Sequence, residues 1–429
     1  MISNIEYLKL RFRLASPMTI GSGGNANTDS DVILDSSGRP IIPATALAGV
    51  ISHFFKEQDW HDTDFWGCIS DNGSKPSRII FYDGTAETAD PFITIRDSVA
   101  LENKLPDDAD GNIIPGNKVG IDGAKFDKEA VETDAIFSAL IELHDPTDTE
   151  RERVLRSLAA IDCGVIRIGS KTTRGYGQLD IISLMSAKFD LAADRDKWLG
   201  FDQYDLSSDK CYSDVDGFPD KFANDLPVDI ISLTLKQEGA VSIRSNTIKD
   251  IYDADYMQLS TNDGTPVIPG TSWAGAFRSR FRELCNDAKF TDAVFGYVDL
   301  VNCKQQKSKI TFTESRIENS TEKLITRTAI DRYTAGTKTS ALYSEITQFD
   351  GTCTLDITLM KNTENRQKAL NVLSAVICDL DRGYLAVGGL TAVGRGLFSV
   401  TKMCFNGTNV TDAMKKGDIK NMTGGADNE

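Results

Sequence analysis

An internal duplication constrains this chain more than any other feature. Ile42-Pro43-Ala44-Thr45-Ala46-Leu47-Ala48-Gly49 returns as Ile268-Pro269-Gly270-Thr271-Ser272-Trp273-Ala274-Gly275. Phe65-Trp66-Gly67 returns as Val294-Phe295-Gly296, and Ser77-Arg78-Ile79-Ile80-Phe81 as Ser308-Lys309-Ile310-Thr311-Phe312. Ile121-Asp122-Gly123 pairs with Ile330-Asp331-Arg332, and a helical stretch at Thr149–Ile161 with one at Glu364–Leu380. The glycine loop Gly169–Gly177 matches Gly388–Gly396, and two loop acids precede each first helix, Asp29 and Asp31, then Asp253 and Asp255. One such pair is weak. An ordered set, met twice, means tandem copies of a unit of about two hundred residues.

Hydrophobic periodicity gives the unit its elements. Leu8–Leu14 alternates apolar and polar, the period of a half-buried strand, as does Ser232–Leu235 in the second copy. Residues 45–58 place Leu47, Val50, Ile51, Phe54 and Phe55 on one helical face. Strands follow at 78–82 and 137–143, with a Pro- and Gly-containing projecting hairpin at 98–120 between them and its counterpart at roughly 315–328. Residues 149–161 form a second helix capped at Asp148 or Thr149, and the glycine loop leads into a last strand at 178–182. The class is α+β: two tandem elaborated ferredoxin-like domains, close to the RNA-recognition-motif arrangement. The divisions are 1–186 for the first domain, 187–226 for a linker or surface-packed insertion, 227–405 for the second domain and 406–429 for a polar tail, expected to be unstructured from Lys415.

Composition removes some alternatives. The N-terminus lacks the apolar core of a signal peptide and no apolar run is long enough to span a membrane, so a cytoplasmic protein is expected. The eight cysteines contain no C-x-x-C pair, which argues against both a disulfide framework and a zinc site. A net charge of −16 lowers the prior for nucleic acid, yet binding requires only one basic face. Lys9, Arg11 and Arg13 share one face of the first strand, as an RNA platform or as edge charges. Arg278, Arg280 and Arg282 fan around one side of the second copy's first helix.

The I-P-x-[TS]-x-x-x-G helix start, the F-[WG]-G and S-[RK]-I-x-F segments and the closing G-x-x-[TA]-x-x-G-x-G resemble the RAMP superfamily (repeat-associated mysterious proteins) of CRISPR-Cas systems. The likeness covers both halves and is greatest to the backbone subunits of type III effector complexes; two copies in one chain look like the fused subunits of subtype III-D. The resemblance implies an endoribonuclease within a ribonucleoprotein, with guide CRISPR RNA, target RNA and other subunits of the same superfamily as partners. In that family a hairpin thumb kinks the guide–target duplex and a loop aspartate beside the kink cuts the target. That aspartate matches Asp29 in copy one and Asp253 in copy two, with Asp31 and Asp255 as runners-up because the loops before Gly38 and Gly264 differ in length. There are departures. The family's helix lysine is Ala48 here and Ala274 in the other copy, its glycine is Ala44, a helix arginine kept as Arg278 is Ser52, and the glycine bend becomes Arg244-Ser245-Asn246.

The chemistry is consistent with a lone acid. RNA carries its own nucleophile, the 2′-hydroxyl, so alignment supplies much of the rate. An aspartate with an ordinary pKa of about 3.9 is a poor base at neutral pH. It works better by holding a hydrated Mg²⁺, which takes one or two carboxylates plus substrate phosphate. Asp29 and Asp253 are the expected metal ligands, and turn capping is their structural alternative. For RNA binding the candidates are Lys171, Thr172, Thr173, Arg174 and Tyr176 in the first glycine loop, Thr391 and Arg395 in the second, and Arg244 and Arg278. Two rival readings are a guide-binding scaffold without catalysis and a guide-precursor nuclease. The second commonly needs histidine, and His53, His61 and His144 all lie outside the glycine loops.

Overall fold

The structure is a computed structural model that describes residues 2–23, 31–70, 73–87, 93–103, 118–206, 208–223, 226–245, 254–261, 263–299 and 304–423. The chain divides into two compact units, one of residues 1–96, 127–172 and 176–226, the other of residues 97–126, 173–175 and 227–429. Both are α+β, with antiparallel sheets.

The first unit centres on the strand Asn4–Leu14, which pairs with Ile136–His144 on one side and Leu179–Asp190 on the other. Ile79–Phe81 extends the sheet beyond Ile136–His144. The second unit repeats this order with Ile310–Phe312, Thr352–Met360, Val228–Glu238 and Leu397–Phe405. The last strand of each repeat carries a bulge at the same place, with Ile182 the extra residue opposite Arg11 and Phe12 and Thr401 opposite Thr234 and Leu235. A bulge kinks the strand and raises its twist, and its recurrence is a backbone signature of the duplication.

Two helices cover one face of each sheet. In the first unit Ala44–Glu57 buries Leu47, Ile51, Phe54 and Phe55, and Asp148–Asp162 buries Val154, Leu155 and Leu158. The cap of the second helix is Thr147, not Asp148 or Thr149: its hydroxyl accepts from the Glu150 N–H while Glu150 reaches back to the Thr147 N–H, a complete capping box. In the second unit Gly270–Cys285 buries Trp273, Phe277 and Phe281, and Arg366–Asp381 buries Leu370, Leu373 and Ile377.

The outer face of the first sheet is also covered. Within the expected insertion, Trp198, Phe201, Leu206 and Tyr212 pack on Ile5, Tyr7, Leu140, Ala187 and Phe189. Lys9 is buried beneath them and bonds the Leu206 and Ser208 carbonyls and Asp209. Arg11 pairs with Glu87 at 2.8 Å and Arg13 with Asp180 at 3.0 Å. The row of three cations therefore has protein partners throughout and makes no open RNA platform.

The expected tail is structured in its described part. Thr408–Asn409 adds to the second sheet, helices follow at Thr411–Lys416 and Ile419–Met422, and Met414 and Met422 are buried in the core. Their two apolar side chains, spaced for helices, are easily lost among the lysines and glycines around them. Among the described residues no helix is long and apolar enough to cross a membrane.

Candidate nucleic-acid interface

Each repeat of the sequence has a hairpin outside its main sheet. In the first, Ile93–Asn103 pairs with Lys118–Val131; residues 104–117 lie outside the described residues. In the second, Thr321–Ile330 pairs with Thr337–Phe349, which also pairs with Ala240–Val241 at its root. The second hairpin thus begins later than the expected 315–328. Ser315–Arg316 belongs instead to a short pair with Val267–Ile268. Asp331 caps the hairpin turn, accepting from the Tyr333 and Thr334 N–H groups at 2.9 Å. Ile121–Gly123 lies inside a strand, so this one landmark pair is not equivalent.

The second hairpin has two unlike faces. Leu324, Thr326, Thr328, Leu342, Ser344 and Ile346 share one, with Leu324 and Leu342 well exposed. Lys323, Ile325, Arg327, Tyr343, Glu345 and Thr347 share the other.

The strand register fixes how the two copies of the acid-bearing loop correspond. Gly21 pairs with Val32, and Arg244 pairs with Gln258. The Ile33 N–H bonds the Ile20 carbonyl as that of Leu259 bonds Ile243. Turn bonds then match one to one, Gly38 to Asp35 and Gly264 to Thr261, with Pro40 and Pro43 standing where Pro266 and Pro269 stand. The loops before Gly38 and Gly264 are therefore equal in length from Val32 and Gln258 onward, contrary to the expectation from sequence. Asp31 corresponds to Met257, and Asp29 in the sequence stands where Asp255 stands.

Asp29 and Asp253, the preferred acids, lie outside the described residues. Of the runners-up, Asp31 lies in the short strand Asp31–Val32. Asp255 is exposed, and its Oδ2 accepts from the Ser344 N–H at 2.7 Å and the Ser344 hydroxyl at 3.1 Å. The Ser344 N–H, with the hydroxyl, holds its carboxyl below the usual range. Among the described residues no three His, Cys, Asp or Glu side chains cluster to hold a metal ion.

The glycine loops are mainly structural. The Gly177 N–H bonds the Pro17 carbonyl and that of Ser170 bonds Thr19; Gly396 and Gly389 repeat this with Ala240 and Ser242. These amides are committed to the bend after the central strand, so they are not donors for phosphate. A Cβ on Gly177 would lie 1.8 Å from the Ile168 oxygen, and one on Gly396 2.0 Å from that of Val387. Backbone approach, at φ of +72° and +74°, is what demands glycine here.

The expected RNA contacts divide accordingly. Lys171, Thr172 and Thr173 are half-exposed and Thr391 is exposed. Arg174 has no described side chain. Tyr176 is buried, with the Lys171 ammonium 5.6 Å and the Arg96 guanidinium 6.0 Å from its ring centre. Arg278 bonds Asp292 at 2.7 Å. Arg395 is 3% exposed and bonds Glu345, which is 1% exposed and also accepts from Ser242. Tyr176 and Arg395 thus face inward, because the glycines on either side turn the chain against the sheet end. Sequence alone marks such residues as loop positions and hides which way they point.

Comparison with known families matches residues 11–180 and 249–399 to the RAMP superfamily. The chain belongs to the RAMP superfamily. The two matched stretches fall on the two repeats, so this is a RAMP chain with two fused copies, and the family makes it a CRISPR-associated RNA-binding subunit. No curated protein matches the chain.

Proposed function

We propose that this RAMP chain is a double backbone subunit of a type III CRISPR effector, similar to the fused subunits of subtype III-D. It binds guide RNA by shape and backbone, works in the cytoplasm beside other subunits of its superfamily, and cuts target RNA at one acid per repeat. The observation that carries this reading is a carboxylate held against the hairpin: Asp255 is anchored to Ser344 of the hairpin strand. The strand register supports Asp29 and Asp255 as the equivalent pair, in place of Asp29 and Asp253.

Both bonds to Asp255 use Oδ2, and neither uses Oδ1. A carboxylate so oriented stays charged and offers one oxygen to a cation or to a water. Asp255 and its repeat-one counterpart would hold Mg²⁺ weakly, together with substrate phosphate. When bound, that ion neutralises charge developing on the leaving oxygen. The hairpin beside it orients the strand so that the 2′-hydroxyl lies in line with the scissile bond.

A scaffold without catalysis is the second reading, and the same bonds favour it, since they are what a turn-capping aspartate makes. Mapping target-RNA products of the whole complex separates the two. Asp29→Ala and Asp255→Ala should each remove their own set of products, and Asp253→Ala none. A double Asp29→Ala, Asp255→Ala complex that still yields every product leaves only the scaffold.

A further inference from the structure

Midway along the second hairpin, on the face opposite Ser344, arginines and tyrosines form a cluster. Tyr256 is stitched to the hairpin strand: its N–H bonds the Ser344 carbonyl at 3.2 Å, and its own carbonyl accepts from Ile346 at 2.9 Å. The Arg244 guanidinium lies over the Tyr256 ring, 3.9 Å from its centre. Tyr343 meets Tyr256 edge to face at 6.3 Å, and Arg327 is the cross-strand partner of Tyr343. Beneath them Arg395 is buried against Glu345.

The charges do not balance. Arg395 is neutralised by Glu345, while Arg244 and Arg327 have no carboxylate partner among the described residues. Both lie close enough to Arg395 for their charges to add to burial in lowering its pKa. Two cations thus remain without an anion. Arg244 is exposed, so the side of its guanidinium away from Tyr256 is open, and a planar guanidinium is a stacking surface for a nucleobase.

We propose that this cluster holds one nucleotide of a single-stranded RNA, with the base stacked on the outer face of Arg244 and the phosphate at Arg327. The inference rests on the RNA-binding reading above and names where, and in which copy, one nucleotide is gripped. In the first repeat Gly21 stands at the place of Arg244 and Tyr176 at that of Arg395.

The test is fluorescence anisotropy of the full chain with a labelled short oligoadenylate and with an abasic strand of equal length, across a salt series. Wild type should prefer oligoadenylate. Arg244→Lys keeps the charge and loses the plane, and should cut that preference by about 5-fold or more while keeping the salt slope. Arg327→Gln should lower the slope of log affinity against log salt by about 0.7 for both strands. Arg11→Gln, in the first unit and paired there with Glu87, should change neither. An Arg244→Lys chain with the full base preference, or an Arg327→Gln chain with the full slope, overturns the site and leaves the RNA-binding reading standing. A wild type that binds neither strand overturns both. Competition by inorganic phosphate as effective as that by oligoadenylate would reduce the cluster to an anion site and also overturn the proposal.

Discussion

At the glycine loop of the first domain the residue between Gly175 and Gly177 is Tyr176; at the same place in the second, between Gly394 and Gly396, it is Arg395. Both are buried, and Gly177 and Gly396 make the same backbone bonds. The loop therefore fixes a direction and not a chemistry. Copy one fills the position with a ring flanked by Arg96 and Lys171, copy two with a cation that needs Glu345. The outer sheet faces differ in the same way. Tyr7 and Lys9 in the first domain are covered by Trp198, Phe201 and Tyr212, whereas Ile230 and Ser232, at the same register in the second, are half-exposed. Duplicated backbones have diverged in what they are asked to carry.

The largest expected effect is on what the copies share. Gly177→Ala and Gly396→Ala each drive a methyl into a backbone oxygen, and each should destabilise its own domain by more than about 4 kcal/mol. Two separate thermal transitions, one shifted in each variant, would show this; unchanged melting would mean that the loops are not the fixed connectors described. Next comes the buried ion pair. Arg395→Met alone strands the Glu345 charge and should cost about 3–5 kcal/mol in denaturant unfolding. The double variant Arg395→Met, Glu345→Met should recover most of that loss, whereas Tyr176→Phe in the first domain should cost about 1 kcal/mol or less.

The smallest effect sits in the turns before the first helices. In copy one Asp35 accepts from the Ser37 and Arg39 N–H groups; in copy two the acid has moved to Asp263, which accepts from the Thr265 N–H and the Thr261 hydroxyl. The Thr261 hydroxyl, with the Thr265 N–H, lowers Asp263 to about 2 from the ordinary 3.8. A carboxylate lowered on folding stabilises above its unfolded pKa and loses that contribution as pH falls through the folded value. Wild type should therefore lose up to about 1 kcal/mol between pH of about 4 and about 2, screening included, and Asp263→Ala should flatten that part of the pH–stability curve. An unaltered curve would remove the turn acid from the comparison.

The duplication, the α+β class, the strand and helix order and the family were legible in the sequence, because they rest on local periodicity and on residues the backbone cannot replace. Ile-Pro before each helix and the paired glycines are such residues. The equal length of the loops before Gly38 and Gly264 was not legible: counting acids back from those glycines suggested unequal loops, and only hydrogen-bond register, which joins residues far apart in sequence, aligned Asp31 with Met257. Nor could sequence tell that Lys9, Tyr176 and Arg395 point inward. A cation or a ring in a polar stretch looks the same whether water or protein surrounds it. Tertiary packing decided that by placing Asp209, Arg96 and Glu345 beside them. The sequence determined the repeated backbone through short-range sterics and hydrophobic spacing. The tertiary structure alone decided which charges were spent inside the protein and which stayed at its surface.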